Sequence, residues 1–509
     1  MPDRSASYSN WTLPELFARA GITPTGRAVV PNVKITRLTD DSRSVEPGDC
    51  FVAIRGTRRD GHDFVETASA GRAVVAVVER EVPVVGDTAH VLVGDTREAL
   101  ARLASAYYDL RGKSEQPLHL IGVTGTNGKT TVAWLLRSIL KAAGQPTALI
   151  GTIEYDLVCE RLPAPLTTPG PLALCRHLAA ARDAGATHGI LEISSHALDQ
   201  RRCDGLPLGA GVFTNLSGDH LDYHETMESY AAAKRRLFEL LDTDGVAVVN
   251  RDDPVGESLI KSLDVPIVSY GLDSPGVDVT ARIGAMTVSG TDIVLRGRSF
   301  ETAVHLSLLG RHNVLNALAA AATAVALGIN PGAIVAGLER VLGVPGRLQR
   351  AQRQGCPFSV LVDYAHTDAA LSSVLPVLRA LTRTRLICVF GCGGDRDRSK
   401  RPRMAAAVGR FAEVAYVTSD NPRTEDPQRI IDDILPGFGS SPACRVEVQV
   451  DRWRAIQAAI GEARPGDTVL IAGKGHETYQ LVGDTVLPFD DIEVARECLN
   501  ASAVAEEVA

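Results

Sequence analysis

Residues 121–131 read IGVTGTNGKTT, a glycine-rich stretch that follows an apolar run and precedes a helix-like segment. A strand, a glycine-rich loop and a helix in this order place backbone N–H groups and a helix N-terminus around a phosphate. In such a loop Lys129 reaches the β and γ phosphates and Thr130 holds Mg²⁺. A strict Walker A loop has glycine five residues before Gly128, where this chain has Val123. The alternative is a glycine-rich turn with a solvated lysine, and the flanking strand and helix favour the phosphate loop.

Around the loop, short apolar runs alternate with helical stretches over most of the 509 residues. This α/β alternation predicts parallel βαβ units. The sequence favours three domains: a small N-terminal α/β domain (1–115), a central P-loop ATPase-like domain with a parallel sheet (116–343), and a C-terminal Rossmann-like domain (344–509). A polar linker is expected at 111–117, and the alternating pattern of 278–309 predicts a small antiparallel side sheet.

In the C-terminal part, each apolar run is followed by a helical stretch, and four of the runs end in the polar tails DYAHTD, GCGGDRDR, SDNPR and AGKGHE. Ligands of open parallel sheets bind beyond the carboxyl ends of the strands, so we expect these tails to face one crevice. Residues 419–427, SDNPRTEDP, have the composition of a strand-to-helix turn. The turn pattern alone leaves open whether Asn421 and Arg423 also bind a substrate.

The overall composition argues against several classes of protein. The net charge of −8 and the pI of about 5.9 argue against general binding to nucleic acid or to an anionic membrane. The nine cysteines are scattered without a C-x-x-C pair, which indicates neither a disulfide framework nor a zinc site. The N-terminus lacks an apolar signal core, and no apolar run approaches the roughly 20 residues that span a bilayer. We therefore expect a cytoplasmic protein that binds no nucleic acid and no membrane.

The loop GVTGTNGKTT resembles the ATP loop of the Mur ligases, the ATP-dependent amide-forming enzymes of peptidoglycan precursor synthesis. Further blocks extend the resemblance over nearly the whole chain in the family's order: DDSRSVEPGDCFVAIRG (40–56), TTPG (167–170), LEISSHALDQRR (191–202), NLSGDHLDYH (215–224), YAAAKRRLF (230–238), GRHNVLNALAA (310–320), GVPGRLQ (343–349), VDYAH (362–366), GCGGDRDRSKRP (391–402), DNPRTEDP (420–427) and GKGHE (473–477). They are most similar to the family members that add the third residue of the peptide. The resemblance implies ATP, UDP-MurNAc-L-Ala-D-Glu and meso-diaminopimelate as substrates, an acyl-phosphate intermediate, and Mg²⁺ or Mn²⁺ as cofactor. We expect a monomer.

The resemblance assigns the ATP site to the loop and to positions later in the chain. It places Asn316 near the adenine, His312 near the nucleotide, Arg347 on the phosphates and Asp363 against the nucleotide. A guanidinium such as that of Arg347 stabilises the charge of a transferring phosphoryl group. The chain reads HTDAAL where relatives commonly have HTPDAL, so no role is carried over to Asp368. The predicted ATP-binding residues are Thr124, Gly125, Thr126, Asn127, Gly128, Lys129, Thr130, Thr131, Asn316, Arg347 and Asp363.

The resemblance also implies two metal positions, with Thr130 and Glu192 at one ion and His220 at the second. Lys234 matches a lysine that the family carbamylates with CO₂, which converts an ammonium into an anionic oxygen ligand. Taken alone, Glu192 and His220 are ordinary polar residues of strand ends and loops, and Lys234 is an ordinary surface lysine of a helix. The predicted catalytic residues are Lys129, Lys234, His220 and Arg347, and the predicted metal ligands are Thr130, Glu192, His220 and Lys234 as N6-carboxylysine.

Seven residues are implied in binding the UDP-substrate. Ser42 and Arg43 match the contacts of the block DSRxVxPGxxF with the uridine diphosphate. The others match positions that hold the muramoyl-dipeptide and lead its terminal carboxylate to the γ-phosphate: Thr167, Thr168, Ser194, Gln200 and Arg202. The alternative for the hydroxyl residues is a role as turn and cap groups.

The charges of the C-terminal tails favour diaminopimelate as the incoming amino acid. This substrate is zwitterionic at both ends, and arginine forks bind carboxylates while a glutamate complements an ammonium. Lysine would leave an arginine without its carboxylate, and a polar site without its partner discriminates by roughly 10⁴ in favourable cases. Family members that add lysine also lack the DNPR block. The predicted diaminopimelate-binding residues are Arg396, Asp420, Asn421, Arg423, Gly473 and Glu477.

Two other functions stay open at the level of sequence. One is a ligase of the same superfamily that adds L-lysine at this step, or D-Ala-D-Ala or a folate-linked glutamate elsewhere. The other is a non-catalytic nucleotide-binding scaffold. The presence of Lys129, Thr130, Glu192, His220 and Lys234 argues against the scaffold.

Overall fold

The structure is a computed structural model that describes residues 11–25, 30–56, 59–83, 86–112, 117–352, 355–439 and 443–508. Residues 113–116, which contain the predicted boundary at 115 and most of the predicted linker, lie outside the described residues. Among the described residues, no helix combines the length and the apolar character needed to cross a membrane.

The N-terminal part forms a small α/β assembly. Its elements are β1 (Trp11–Thr12), α1 (Leu13–Ala20), β2 (Lys34–Ile35), β3 (Leu38–Thr39), β4 (Cys50–Val52), α2 (Val65–Ala70), β5 (Val75–Val78), β6 (Ala89–Leu92) and α3 (Thr96–Tyr107). Strands β3 to β6 form a parallel four-stranded sheet in chain order. Asp95 caps α3 through the N–H groups of Arg97 and Glu98, and the apolar side chains of α1 and α3 pack with this sheet in one core.

The glycine-rich loop belongs to an eight-stranded sheet. The elements of this part are β7 (His119–Thr124), α4 (Lys129–Ala142), β8 (Thr147–Ile150), β9 (Glu154–Asp156), β10 (Arg161–Pro163), α5 (Pro171–Asp183), β11 (His188–Glu192), α6 (Ser195–Asp199), β12 (Leu208–Phe213), α7 (Leu221–His224), α8 (Met227–Glu239), β13 (Leu241–Asn250), α9 (Pro254–Ser262) and β14 (Ile267–Tyr270). The strand order is β10-β9-β8-β11-β7-β12-β13-β14, and the strands from β8 to β13 in that order run parallel. All five residues of β11 are buried, as expected for a strand of a parallel sheet covered on both faces. Parallel pairing brings the ends of β7 and β11, and so the loop and Glu192, to one edge.

The predicted side sheet is confirmed. Strands β15 (Thr280–Thr287), β16 (Gly290–Arg296) and β17 (Glu301–Leu306) pair antiparallel in chain order. Two helices follow, α10 (Arg311–Ala326) and α11 (Pro331–Glu339).

The C-terminal part is a second, largely parallel sheet. Its elements are β18 (Gln349–Arg350), β19 (Ser359–Asp363), α12 (Asp368–Leu381), β20 (Leu386–Phe390), α13 (Lys400–Phe411), β21 (Val414–Val417), α14 (Pro427–Ile434), β22 (Arg445–Val448), α15 (Arg452–Gly461), β23 (Thr468–Ala472), β24 (Tyr479–Val482), β25 (Thr485–Pro488) and α16 (Asp491–Val508). The sheet order is β18-β19-β23-β20-β21-β22, with only β18 antiparallel.

Alternation along β20 shows why helices cover both faces of this sheet. Leu386, Cys388 and Phe390 belong to one apolar core, whereas Ile387 and Val389 belong to another. Successive side chains of a strand point to opposite faces, so each face has its own core to be covered.

One element differs from the expectation that a helical stretch directly follows each C-terminal run. The antiparallel hairpin of β24 and β25 stands between β23 and α16. Its residues are partly or fully exposed, so it lacks the buried apolar signal that marks the other strands.

The α/β fold class is confirmed, with a central parallel sheet, a small antiparallel sheet and a C-terminal parallel sheet. The chain divides into two compact units, the first comprising Met1–Lys129, Leu140–Leu216 and Thr226–Ser269, and the second Thr130–Ile139, Ser217–Glu225 and Tyr270–Ala509. The three-domain division stays a prediction.

Candidate active site

The glycine-rich loop runs from the end of β7 to the start of α4. Gly125 has a φ of +147° and Gly128 a φ of +90°, values that residues with a side chain rarely adopt. A Cβ atom on Gly125 would lie 1.9 Å from the Thr214 hydroxyl oxygen, so only glycine fits there. Val123, the departure from the strict Walker A pattern, is fully buried in β7 and pairs in register with Glu192. It is therefore a strand residue, and the loop begins after it.

Two residues that follow β12 hold the loop in place. The Thr126 N–H donates to the Asn215 carbonyl over 2.8 Å, and the Asn127 N–H donates to Asn215 Oδ1 over 3.0 Å. The Thr214 hydroxyl donates to the Asn127 carbonyl over 2.6 Å. No sequence motif assigned a role to Thr214 or Asn215. Their position directly after a strand of the parallel sheet is the signal that could have indicated one.

Lys129 folds back on the loop that precedes it. Its Nζ donates to the carbonyls of Gly125 and Thr126 over 2.8 and 2.9 Å. These bonds keep the ammonium at the loop, where the predicted phosphate interaction requires it.

Lys234 lies on α8 and is only 2% exposed. Its Nζ is 4.5 Å from the centroid of the Tyr230 ring, and the Tyr230 hydroxyl is 3.1 Å from the Thr126 hydroxyl. The burial contradicts the surface-lysine alternative, because a surface lysine keeps its ammonium in water. Through Tyr230, the helix brings Lys234 to the glycine-rich loop.

Glu192 is fully buried at the end of β11. Its Oε1 accepts from the Thr152 N–H over 3.0 Å, and its Oε2 accepts from the Thr152 hydroxyl over 2.9 Å. That hydroxyl is 3.1 Å from the Thr167 hydroxyl. A Cβ atom on Gly151 would lie 2.1 Å from Glu192 Oε1, so glycine permits this close approach. The structure thus links Glu192 to a residue predicted to hold the UDP-substrate, through Thr152, which sequence analysis missed.

Four of the predicted UDP-substrate residues form one hydrogen-bonded group. The Thr168 hydroxyl donates to the Glu192 carbonyl over 2.8 Å and accepts from the Ser194 N–H over 3.1 Å. Arg202 donates to the Thr168 carbonyl and to Gln200 Oε1, both over 2.7 Å. The Ser194 hydroxyl also caps α6, which agrees with the alternative role of the hydroxyl residues as turn and cap groups.

Ser42 and Arg43, the two residues predicted to contact the uridine diphosphate, lie in the 3-10 turn Ser42–Ser44. Arg43 donates to the Asp41 carboxylate through Nε (2.9 Å) and Nη2 (2.7 Å). Hydrogen bonds from Arg43 lower the pKa of Asp41 to about 2. The Arg43 side chain is 86% exposed, so its guanidinium is accessible to a ligand.

In the second compact unit, Arg347 lies beside Thr130. Its Nη2 is 3.4 Å from the Thr130 hydroxyl oxygen, and its guanidinium carbon is 4.7 Å from the centroid of the Tyr364 ring. Among the described residues, its buried Nε has no hydrogen-bond partner. A buried donor without a partner costs about 1–3 kcal/mol, which an anionic ligand oxygen would recover.

Asp363 organises the backbone around Arg347. Its carboxylate accepts from the Leu348 N–H over 2.7 Å and from the Ala365 N–H over 2.9 Å. Burial raises its pKa, against the opposing charge of Arg347 and these two hydrogen bonds. These bonds fix the segment that carries Arg347, and a direct contact between Asp363 and a nucleotide stays a prediction.

Asn316 and His312 lie on α10. The Asn316 amide nitrogen donates to Asn313 Oδ1 over 3.0 Å and the residue is buried. Burial lowers the pKa of His312 to about 4, so its ring is neutral at pH 7. The predicted positions of both residues near the nucleotide stay untested.

The predicted metal ligands are divided between the two compact units, with Thr130 and His220 in one and Glu192 and Lys234 in the other. His220 has a φ of +54°, and its Nε2 is 3.6 Å from Asp219 Oδ2. Within the described ranges, no three His, Cys, Asp or Glu side chains gather as a metal cage. Hydroxyl, carboxylate, carbamate and imidazole groups form a mainly oxygen set that suits Mg²⁺, and the metal site stays a prediction.

The turn 419–427 joins β21 to α14, which confirms the strand-to-helix prediction. Asn421 Nδ2 donates to Glu477 Oε2 over 2.8 Å, and both groups follow strands at the carboxyl edge of the C-terminal sheet. A Cβ atom on Gly473 would lie 2.6 Å from Asp420 Oδ2. Four of the six predicted diaminopimelate residues are therefore in direct proximity.

The unexpected hairpin holds the backbone of Arg423, which has a φ of +51°. The Arg423 N–H donates to the Leu481 carbonyl over 3.0 Å, and the Gly483 N–H donates to the Arg423 carbonyl over 2.7 Å. The Arg423 guanidinium donates to the Gly394 carbonyl over 2.8 Å, in the loop that carries the exposed Arg396. The hairpin thus fixes a left-handed conformation that a non-glycine residue rarely adopts.

Lys474 was also missed by the sequence analysis, although it lies in the quoted block GKGHE. It is fully buried, and its Nζ donates to Asn421 Oδ1 over 3.1 Å and to Glu477 Oε2 over 3.0 Å. The Leu481 N–H donates to the same Asn421 oxygen over 3.0 Å. A lysine in a glycine-rich loop has no pattern of its own, so only the folded structure shows these partners.

Three family models together match most of the chain. Residues 34–108 match the model described as "Mur ligase family, catalytic domain", residues 123–324 match "Mur ligase middle domain", and residues 346–475 match "Mur ligase, glutamate ligase domain".

Comparison with individual proteins gives similar sequences of nearly the same length. The UDP-N-acetylmuramoyl-L-alanyl-D-glutamate--2,6-diaminopimelate ligase of Gloeobacter violaceus is 45% identical over 494 residues, which cover 96% of this chain and 98% of that protein. The protein of the same name from Geobacillus kaustophilus is 45% identical over 471 residues, which cover 91% and 95%. A solved structure of a ligase of this name has a TM-score of 0.70 at 34% identity and covers 97% of this chain and 99% of its own. A D-alanyl-D-alanyl-adding ligase from Acinetobacter baumannii, at 21% identity and a TM-score of 0.60, covers 97% and 98% and shares the fold.

Proposed function

This chain belongs to the Mur ligase family, and we propose that it is the ATP-dependent ligase that adds meso-2,6-diaminopimelate to the D-glutamyl γ-carboxylate of UDP-MurNAc-L-Ala-D-Glu in peptidoglycan precursor synthesis. The observation that supports the choice of amino acid is the group of Asn421, Arg423 and Glu477 at one edge of the C-terminal sheet.

The reaction proceeds in two steps. An oxygen of the D-glutamyl γ-carboxylate attacks the γ-phosphorus of ATP, and ADP leaves to give an acyl phosphate. The amine of diaminopimelate then attacks the acyl carbon, and the tetrahedral intermediate expels phosphate while the nitrogen loses a proton. No protein nucleophile is required, so catalysis comes from positioning and from neutralisation of phosphate charge.

Lys129 and Arg347 neutralise the phosphates. The loop 124–131 surrounds the phosphate groups with backbone N–H donors, and Lys129 exchanges its present carbonyl partners for phosphate oxygens. Arg347 supplies the guanidinium. In the described part of the chain its Nε has no hydrogen-bond partner, which supports this role because a ligand oxygen would satisfy it. Asn316 and Asp363 complete the nucleotide site, Asp363 by fixing the backbone next to Arg347.

Mg²⁺ bound by Thr130 and Glu192, with His220 at a second ion, would shield the charge of the phosphates. The Thr152 N–H and hydroxyl donate to the two carboxylate oxygens of Glu192 and fix the orientation of this carboxylate, as a metal ligand requires. Lys234 as a carbamate adds an anionic oxygen ligand, and its burial beside Tyr230 supports a function other than solvation.

Two groups of residues in the first compact unit hold the UDP-substrate. Arg43 and Ser42 bind the uridine diphosphate, for which the exposed guanidinium of Arg43 is suited. The second group directs the D-glutamyl carboxylate towards the γ-phosphate, and it comprises Thr167, Thr168, Ser194, Gln200 and Arg202. The hydrogen bonds within this group, to Thr152 and to Glu192 support this role.

Diaminopimelate is recognised by charge complementarity. Arg423 and Arg396 bind its carboxylates, Glu477 binds an ammonium, and Asn421 donates to a carboxylate oxygen. Asp420 and Gly473 shape the backbone around these groups.

The same proposal extends to organisation. The chain works as a monomer in the cytoplasm, with a uridine domain (1–115), an ATP domain (116–343) and an amino-acid domain (344–509). The family matches at 34–108, 123–324 and 346–475 support this division.

Release of phosphate from ATP tests the function. We expect release only when UDP-MurNAc-L-Ala-D-Glu and diaminopimelate are both present, with a product whose mass equals the joined substrates less water. Absence of substrate-dependent ATP turnover would instead support the non-catalytic scaffold.

A further inference from the structure

Lys474 carries a buried positive charge between two residues of the amino-acid site. It follows β23, is fully buried, and its Nζ lies 3.1 Å from Asn421 Oδ1 and 3.0 Å from Glu477 Oε2. The Tyr479 ring centroid is 5.7 Å from the same Nζ. An ammonium with no solvent exposure requires its partners, so this geometry is fixed.

The ammonium determines which way the Asn421 amide points. Oδ1 accepts from Lys474 and from the Leu481 N–H, whereas Nδ2 donates to Glu477. Rotation of the amide by half a turn would place its NH₂ group against the Lys474 ammonium and leave a carbonyl facing a carboxylate. One Nδ2 hydrogen goes to Glu477, so the second has a fixed direction and can meet a substrate carboxylate.

The same ammonium changes what Glu477 can bind. Among the described residues, both donors to the Glu477 carboxylate bond to Oε2, so Oε1 is the oxygen left for a substrate ammonium. That ammonium would lie within roughly 8 Å of Lys474 Nζ, and like charges in a buried site repel. A substrate end that also carries a carboxylate offsets the repulsion, since the carboxylate meets Arg423 and brings a negative charge near Lys474. The bare side-chain ammonium of L-lysine has no such compensation.

We propose that Lys474 is a positioning and specificity-determining residue, which orients Asn421 and Glu477 and makes the pocket select a zwitterionic substrate end over a bare ammonium. This inference rests on the proposed function and adds a residue to it. Arg452, which pairs with Asp491 in the core over 2.7 Å, is a second cation whose charge acts on Asp420 and Glu477.

Substitution Lys474→Met tests the proposal in the full-length enzyme, because it keeps most of the side-chain volume and removes the charge. We expect the KM for diaminopimelate to rise about tenfold while the KM values for ATP and UDP-MurNAc-L-Ala-D-Glu stay within about twofold. We also expect the ratio of kcat/KM for L-lysine to that for diaminopimelate to rise about tenfold, since the repulsion is gone.

Lys474→Gln separates orientation from charge. Glutamine keeps an N–H donor, so its KM for diaminopimelate should fall between those of the wild type and the methionine variant. It has no charge, so its lysine-to-diaminopimelate ratio should match that of the methionine variant.

Arg385→Met is the matched control. Arg385 forms an ion pair with Asp467 over 2.6 Å before the amino ends of β20 and β23, at the opposite edge of the same sheet. It should lower the melting temperature and leave all three KM values and the ratio unchanged.

Wild-type KM and wild-type ratio in folded Lys474 variants would overturn the proposal, as would an equal rise in all three KM values. If the methionine variant does not fold, the glutamine variant decides. A wild-type enzyme that prefers another amino acid contradicts the proposed function instead. The variants are then assayed with that amino acid, and an unchanged KM for it refutes the role of Lys474.

Discussion

The side-chain amide of Asn421 donates to the Glu477 carboxylate over 2.8 Å, although the two residues are 56 positions apart. The bond joins the loops that follow β21 and β23 at the carboxyl edge of the C-terminal sheet, the edge where ligands of parallel sheets bind. It places a donor for a carboxylate next to an acceptor for an ammonium, which is the pairing that a zwitterion requires.

Substitution Arg423→Ala should weaken the binding of diaminopimelate far more than the binding of ATP. In the proposed site the Arg423 guanidinium is a charged donor for a substrate carboxylate, so its loss should raise the KM for diaminopimelate about 10- to 100-fold. Steady-state kinetics with each substrate varied in turn measure this. Arg398→Ala is the control, since Arg398 is 69% exposed and pairs with Glu425. An equal effect of Arg423→Ala on the KM values for ATP and diaminopimelate would count against its selective role.

Substitution Leu481→Pro should also raise the KM for diaminopimelate, by about tenfold, because proline lacks the N–H that donates to Asn421 Oδ1. Leu481→Ala keeps that N–H and should stay near the wild type. If both variants have the wild-type KM, the hairpin does not position the Asn421 amide.

Substitution Lys234→Ala should lower kcat by about 10³-fold or more, because the proposed carbamate oxygen would be lost from the phosphate site. Added formate or acetate should restore part of the activity by supplying a carboxylate. Lys261→Ala is the control, since Lys261 is 71% exposed on α9 and pairs with Glu257. Full activity of Lys234→Ala would exclude an essential carbamate.

The buried carboxylate of Asp467 makes stability depend on pH. Burial by itself raises its pKa, but hydrogen bonds from Arg385, Thr384 and two backbone N–H groups outweigh it and lower the pKa to about 2, well below its ordinary value. A lowered folded-state pKa gives stability that is present above about pH 4 and is lost as the pH falls towards 2, by about 2 kcal/mol. Urea unfolding at pH 6 and pH 3 measures the loss, which Asp467→Asn should reduce. An unchanged pH slope in that variant would refute the assignment.

Much of the fold could be predicted from the sequence. The buried strands of a parallel sheet appear in the sequence as apolar runs, and the helices appear as the stretches between these runs. The glycine-rich loop could also be recognised in the sequence, because Gly125 and Gly128 occupy conformations that few other residues adopt. Val123 looked like an imperfection of the loop and is a buried strand residue.

The remaining features depend on contacts between distant positions. The hairpin of β24 and β25 is short and exposed, so it has no buried periodicity to detect. Lys474, Thr152 and Asn215 each have a hydrogen-bond partner 40 or more positions away in the chain. The burial of Lys234 likewise follows from the packing of α8, which a helical pattern does not specify.

A competition assay measures whether the C-terminal loops select diaminopimelate over L-lysine. The enzyme is given ATP, UDP-MurNAc-L-Ala-D-Glu and equal concentrations of diaminopimelate and L-lysine, and the two products are separated by mass. We predict a diaminopimelate product in excess by roughly 10³-fold or more, because lysine leaves a site arginine without its carboxylate. A lysine product of equal or greater amount would show that the C-terminal loops do not select diaminopimelate.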